Sequence, residues 1–220
     1  MEKNNKNTTN TPYLIGVTGG FGTGKSLVGN ILEELGLVVI DTDEIVRNIL
    51  KTKNQVTQKI QNEFDGSIIS NKTDEYINRK ALAHLIFNDD LKRKKLESIV
   101  HPEVDRVLNC FILQNKSEDV TAVVVLIPLL FECGLENFYN EIWCITCNST
   151  TQSERLLKKG FTPEEIKLRI DSQLPIDIKA KKSNFIIDNS GTINETKQQV
   201  ISRLKELVQL NRNLHLSFDK

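Results

Sequence analysis

The 220-residue chain lacks a net charge, a long apolar run and a useful number of cysteines. Its 29 lysines and arginines balance 29 aspartates and glutamates, so no overall field gathers nucleic acid or an anionic membrane, and anion binding has to come from local clusters. No stretch approaches the roughly 18 apolar residues of a spanning helix, and the opening MEKNNKNTTNTP carries no apolar core for secretion. The expectation is a cytoplasmic protein whose partners include neither nucleic acid nor membrane. Cys110, Cys133, Cys144 and Cys147 are too sparse for a disulfide framework. Cys144 and Cys147 form one C-x-x-C without a second pair, whereas structural zinc takes four ligands, so packing is the expected role.

What is present is the pattern of a layered α/β domain. Strand-like runs fall at residues 13–18, 37–40, 122–127, 141–146 and 185–187, several of them unbroken apolar stretches of the kind found in parallel strands covered on both faces. Helical patterns separate them. The first carries Leu27, Val28, Ile31, Leu32 and Leu35 on one face and stops at Gly36. From residue 55 to about 114 the pattern is almost wholly helical, longer than a normal crossover, which predicts a helical subdomain inserted between strands two and three. Pro102 is expected to open a new helix there. Further on, Ser149 with Gln152 and Thr162 with Pro163 and Glu165 read as capping boxes, Phe161 and Ile166 being placed as the staple of the second; two short helices joined at Gly160 should project from the sheet. The length suits one domain. Its expected parts are a core at 13–54, 120–148 and 183–210, an insertion at about 55–119, a projecting segment at about 149–182, and tails at 1–12 and 211–220.

Of eleven glycines, four crowd into the six positions before Lys25. GGFGTGKS fits G-x-x-x-x-G-K-[ST] across Gly19, Gly20, Phe21, Gly22, Thr23, Gly24, Lys25 and Ser26, with an apolar strand before it and an amphipathic helix, starting with Leu27, after it. Glycines let successive N–H groups turn inward as an anion nest, and the helix N-terminus adds its positive end. Lys25 should reach the β and γ phosphates of a nucleoside triphosphate and the Ser26 hydroxyl should ligate Mg2+. A regulatory GTPase is disfavoured: NKTD at residues 71–74 mimics a guanine-reading motif, but the only D-x-x-G, at 188–191, follows it, in the reverse of the usual order.

Strand two runs into DTDEIVR, placing Asp41 and Asp43 at a carboxyl end of the sheet, where α/β sites collect. A carboxylate there can take the proton of an attacking hydroxyl; an N-cap is the alternative use for either residue. Arg47, one turn on, can pair with Asp43 or a phosphate. Strand three ends in Pro128 rather than an aspartate, so a metal would rely on Ser26, phosphates and water.

VTGGFGTGKS, DTDEIVR, NRKALAHLIF, VHPEV, IPLLFE, the Q-x-x-R-L of Gln152 to Leu156, RIDSQ and DNSG occur in that order between about Tyr13 and Leu207, and together they resemble the dephospho-coenzyme A kinase family. The resemblance implies a nucleoside-monophosphate-kinase type of P-loop sheet, about five parallel strands flanked by helices, with an inserted helical substrate domain and a lid. It implies transfer of the γ-phosphate of ATP to the 3′-hydroxyl of dephospho-CoA, with Mg2+. The family's catalytic aspartate falls on Asp43, and Arg47 on its companion arginine. The insertion, with Arg79, His101 and Pro102, corresponds to a CoA-binding domain, Gln152 to Gln173 to the lid, and Asn189 and Gly191 to the loop bordering adenine. Glu132 of PLLFE is a further candidate substrate contact. The family's lid usually reads R-L-x-x-R; here it is RLLKK, so Lys159 stands where a second arginine is expected, and Arg155, Lys159 and Arg169 are the expected lid cations. Leu27 replaces a common threonine. His101 also reads as a helix terminus set by the following proline. A kinase for another small hydroxyl or a nucleoside monophosphate is the alternative activity, and a nucleotide-dependent switch the non-enzymatic one. A monomer or small homo-oligomer is expected.

Overall fold

A computed structural model of the chain describes residues 12–64, 68–70, 76–87, 89–116, 122–211 and 214. The NKTD segment and most of both expected tails lie outside the described residues. Five strands, β1 (Tyr13–Gly19), β2 (Val38–Asp41), β3 (Ala122–Leu126), β4 (Glu141–Thr146) and β5 (Phe185–Asp188), form one sheet in the order β2-β3-β1-β4-β5. β1 pairs in parallel with β3 and β4, and β4 with β5. Consecutive strands leave β1 in opposite directions, so a crevice opens at its carboxyl end, the usual ligand position in such a sheet.

The apolar runs form central strands because they are buried on both faces: Ile15, Val17, Val123, Val124 and Val125 are all inaccessible. On one face lie α1 (Lys25–Glu34) and α9 (Ile193–Leu210). Val28, Ile31 and Leu32 of α1 join Val200, Leu204 and Leu207 of α9 in a single cluster with Trp143, Ile145 and Ile187 of the sheet. Each such side chain contributes about 1.5–3 kcal/mol by leaving water, which makes this cluster the main source of stability for the sheet. The helix ends follow local chemistry. After α1 the Gly36 and Leu37 amides donate back to Glu33 and Leu32. Thr192 and Glu195 cap α9 reciprocally, as Thr162 and Glu165 cap α7 (Pro163–Asp171), where Pro163 opens the helix.

Two expected helix starts are corrected. Helix α6 (Ser149–Lys158) is capped by Asn148, whose side chain accepts from the Thr151 amide, so Ser149 is already helical and makes no box with Gln152. Asparagine one position upstream is as good a cap as serine and takes the amide first. Pro102 starts no helix: α5 runs unbroken as Asp90–Gln114 with Pro102 inside it. An interior proline removes one backbone hydrogen bond at a cost of about 3 kcal/mol. Packing of Val100 with Leu96, Ile99 and Val104 on either side of it offsets that cost.

Residues 41–113 form a second compact unit. It contains α2 (Thr42–Lys51), α3 (Gln55–Phe64), α4 (Arg79–Phe87) and most of α5. Leu50, Ile60, Phe64, Ile68, Ile77, Leu82 and Val100 make its own core. Asn54 and Asn78 cap the starts of α3 and α4, accepting from the Thr57 and Ala81 amides. Among the described residues no helix is long and apolar enough to cross a membrane.

Glu141, at the start of β4, is 3% exposed. Its Oε1 accepts from Trp143 Nε1 at 2.6 Å and from Arg203 Nε of α9 at 2.7 Å. Arg203→Met should therefore cost about 3–5 kcal/mol in urea unfolding, because it strands a buried carboxylate. A loss below about 1 kcal/mol would show that Glu141 is hydrated instead.

Candidate active site

The loop after β1 is shaped by what lies under and beside it. Asn189, just past β5 and 1% exposed, donates from Nδ2 to the Thr23 carbonyl at 2.8 Å and accepts at Oδ1 from the Thr196 hydroxyl at 2.9 Å. Gly24 has φ +106°, and a Cβ there would run into the Asn189 amide. Gly22 has φ +78°, and its Cβ would stand 2.7 Å from Leu156 of α6. Glycine at both positions is thus required by backbone sign and by close approach. Thr23, 1% exposed, closes the turn by donating to the Gly20 carbonyl at 3.0 Å.

Lys25 Nζ lies 3.1 Å from both the Gly19 and Gly20 carbonyls, folded back over the loop it follows. Ser26 is exposed on the first turn of α1, and Leu27 is half-buried against the sheet-side cluster. An anion entering here meets the amides of the loop, the positive end of α1 and the Lys25 ammonium.

Three elements beyond the loop close on it. From α6, Gln152 Nε2 donates to the Phe21 carbonyl at 2.6 Å, and Arg155 Nη1 stands 4.0 Å from where a Gly24 Cβ would be. Phe161 meets the Phe21 ring edge-on, centroids 5.2 Å apart, and the Arg169 guanidinium of α7 lies 5.1 Å from the centroid of each ring. Such contacts are worth about 0.5–1 kcal/mol each at a partly exposed site. Lys159, the C-cap of α6, is exposed. The turn at 188–191 is held by Ser190, which donates to Asp188 Oδ1 at 2.6 Å and accepts from the Asn148 amide at 2.8 Å; Gly191 stays exposed.

Glu132 is engaged by protein: Oε1 receives Lys179 Nζ at 2.7 Å and the Leu174 amide at 2.9 Å. In the second unit, Asp41 caps α2 by accepting from the Asp43 amide at 2.8 Å, while Asp43 and Arg47 are exposed on its first turns. Arg79 opens α4, and His101 is exposed in mid-α5, so it marks no helix terminus. The structure therefore gathers Gly19 to Leu27, Asn189, Arg155 and Arg169 around one loop, and carries Asp43, Arg47, Arg79 and His101 on the other unit.

The sequence reading missed Lys179 and Thr196, and gave Phe161 only the role of a helix staple. Thr196 sits one residue after the capping glutamate, a position with no chemical pattern of its own. Lys179 is one of three lysines in IDIKAKK, and nothing in that string distinguishes the buried one.

Comparison with known proteins decides the family. The profile of the dephospho-CoA kinase family matches residues 13–195. The chain belongs to the dephospho-CoA kinase family. A dephospho-CoA kinase of Carboxydothermus hydrogenoformans is 37% identical over 194 residues, 88% of this chain and 93% of its relative. One of Geobacter metallireducens is 35% identical across 90% of this chain and 98% of its own. Among solved structures, the dephospho-CoA kinase of Campylobacter jejuni superposes with a TM-score of 0.65 at 29% identity, covering 90% of this chain and 98% of that one. A Thermus thermophilus crystal structure superposes with a TM-score of 0.77 at 28% identity, covering 89% and 98%.

Against the family pattern quoted above, the lysine at 159 stands at the exposed end of α6, while Arg155 is the α6 cation beside the loop. Cys144 of β4 is inaccessible, and burial pushes its thiol up to about 11 against the weaker pull of Lys179 and Lys25. A thiol raised on folding favours the native state below its unfolded value of 9.0, and that contribution disappears as pH rises through about 11. Stability should accordingly fall between those limits, and the slope should flatten in Cys144→Val. At pH 8 a thiol reagent should modify exposed Cys110 and Cys133 but spare Cys144 in the native protein. Gly24→Ala should weaken MgATP binding by about tenfold or more in calorimetry, since the loop must move off Asn189; unchanged affinity would contradict the loop assignment.

Proposed function

We propose that this chain transfers the γ-phosphate of ATP to the 3′-hydroxyl of dephospho-CoA, giving CoA and ADP. The observation that carries the reading is a phosphate loop built over Asn189 and flanked by Arg155 and Arg169, in a chain of the dephospho-CoA kinase family. The β and γ phosphates lie on the loop amides, and Lys25 exchanges the Gly19 and Gly20 carbonyls for phosphate oxygens. Asn189 acts from beneath, its side chain holding the loop rather than the base; Gly191, in the adjoining turn, borders the adenine.

The donor set fits Mg2+. Among the described residues no group of three or more His, Cys, Asp or Glu can hold a metal ion, while the Ser26 hydroxyl is exposed beside the loop. A hydroxyl completed by phosphates and water suits an ion that keeps much of its hydration. The chemistry Mg2+ supplies when bound is neutralisation of the β and γ phosphates.

Asp43 orients the 3′-hydroxyl and takes its proton as the O3′–Pγ bond forms. The bond from Pγ to the bridging oxygen breaks, and ADP carries away the electron pair. Arg155, Lys159 and Arg169 neutralise the equatorial oxygens. Residues 152–173 serve as the lid that excludes water, and the helical unit, with Arg47, Arg79 and His101, holds the CoA moiety. The same reading makes the protein cytoplasmic, a monomer or small homo-oligomer, without nucleic-acid or membrane partners.

The direct test is ADP release from MgATP with dephospho-CoA, with a nucleoside monophosphate, or with no acceptor. Turnover should require dephospho-CoA, and equal rates without it would overturn the reading. Asp43→Asn should lower kcat by about a hundredfold or more with MgATP affinity nearly kept. Lys25→Ala should damage ATP use itself.

A further inference from the structure

Helix α8 (Ile176–Lys182) covers the sheet against β1 and β4, and its Lys179 is wholly buried. Fully buried lysines are rare unless paired. The ammonium donates to the Pro128 carbonyl at 2.8 Å, just past β3, and faces Glu132 Oε1 at 2.7 Å. The same oxygen accepts the Leu174 amide at 2.9 Å. Three residues on, Lys182 repeats the tie with Glu136 at 3.1 Å and lies 4.8 Å from the Phe131 ring centroid. Everything from Leu174 through α8 is thereby fastened to the segment leaving β3.

The chain just before Leu174 is fastened differently. α7 leaves Leu168 and Ile170 exposed, and Arg169 rests on the rings of Phe21 and Phe161 rather than on a buried partner. Gln173 Oε1, beside the anchor, is buried with no hydrogen-bond partner among the described residues. The tie to Glu132 begins at the Leu174 amide.

We propose that Glu132 and Lys179 are positioning residues: their pair is the fixed pivot of the arm that carries Arg169, and Glu132 sets that arm through the Leu174 amide. Neither touches substrate. The proposal rests on the kinase reading, with Glu132 in this role instead of a substrate contact. The buried Lys179 ammonium keeps the more accessible Glu132 oxygen where the amide can reach it, so the arm swings about one point and returns Arg169 to the same place over the loop. A misplacement of about 1 Å at a transferring phosphoryl group costs up to about a hundredfold in rate.

Two double variants of the full chain separate this from plain stability, read by melting temperature, kcat and the KM for MgATP. E132L/K179M and E132Q/K179M both remove the two charges together and leave no buried ammonium unpaired, so both should melt near the wild type. Only glutamine keeps an oxygen for the Leu174 amide. E132L/K179M should lose about tenfold or more in kcat, and E132Q/K179M should run several times faster than it. Equal kcat in the two would overturn the proposal. Should E132L/K179M fail to fold, amide exchange on the native chain decides. The Leu174 amide should keep the same protection with and without MgATP while amides of α7 change, and a Leu174 amide that changes along with α7 overturns the pivot. A wild type inactive toward dephospho-CoA would defeat the kinase reading instead, leaving the exchange comparison intact.

Discussion

The hydrogen bond from Asn189 to the Thr23 carbonyl is the contact on which the site's geometry depends. The amides of a glycine-rich loop converge on an anion only if the loop is held in one path, here with positive φ at Gly22 and Gly24, and glycine offers no stiffness of its own. The stiffness is supplied from outside. Asn189 holds the loop from below and is itself fixed by Thr196 of α9, while Leu156 and Gln152 of α6 close one side. Helix α9 is locked to the sheet by Val200, Leu204 and Leu207 and by the Arg203–Glu141 pair, so hydrophobic burial remote from the loop fixes the loop amides.

The same economy appears in the polar interior. Glu141, Asn189 and Lys179 are all essentially buried, and each is satisfied by at least one partner outside its own element. An unpaired buried polar group is costly, so each arrangement admits few alternatives and specifies how helices register on the sheet. Around the loop the cations differ in tether: Lys25 is bound to loop carbonyls, Arg155 stands beside Gly24, and Arg169 rests on two aromatic faces. Groups held by aromatic faces exchange partners at lower cost than groups in buried ion pairs.

Most of this was legible in the sequence where one period or one motif governed. The five strands fall within about a residue of their apolar runs; in the three central ones, β3, β1 and β4, no polar face blurs the run. GGFGTGKS announced the loop because each of its constraints is local. Where two local signals competed, the reading slipped: Asn148 outbid Ser149 as a cap, and packing around Val100 carried α5 through Pro102. The burial of Lys179 and the supporting role of Asn189 depend on contacts dozens of residues away in sequence, which no local pattern encodes.

The central claim, that a preformed backbone nest receives the triphosphate, is tested most directly by amide chemical shifts on titrating the full chain with magnesium and a non-hydrolysable ATP analogue. The account predicts that the amides of residues 20–26 shift together and most strongly, with a smaller response at Asn189. Loop amides that stay in place while the largest shifts appear elsewhere in the chain would contradict it.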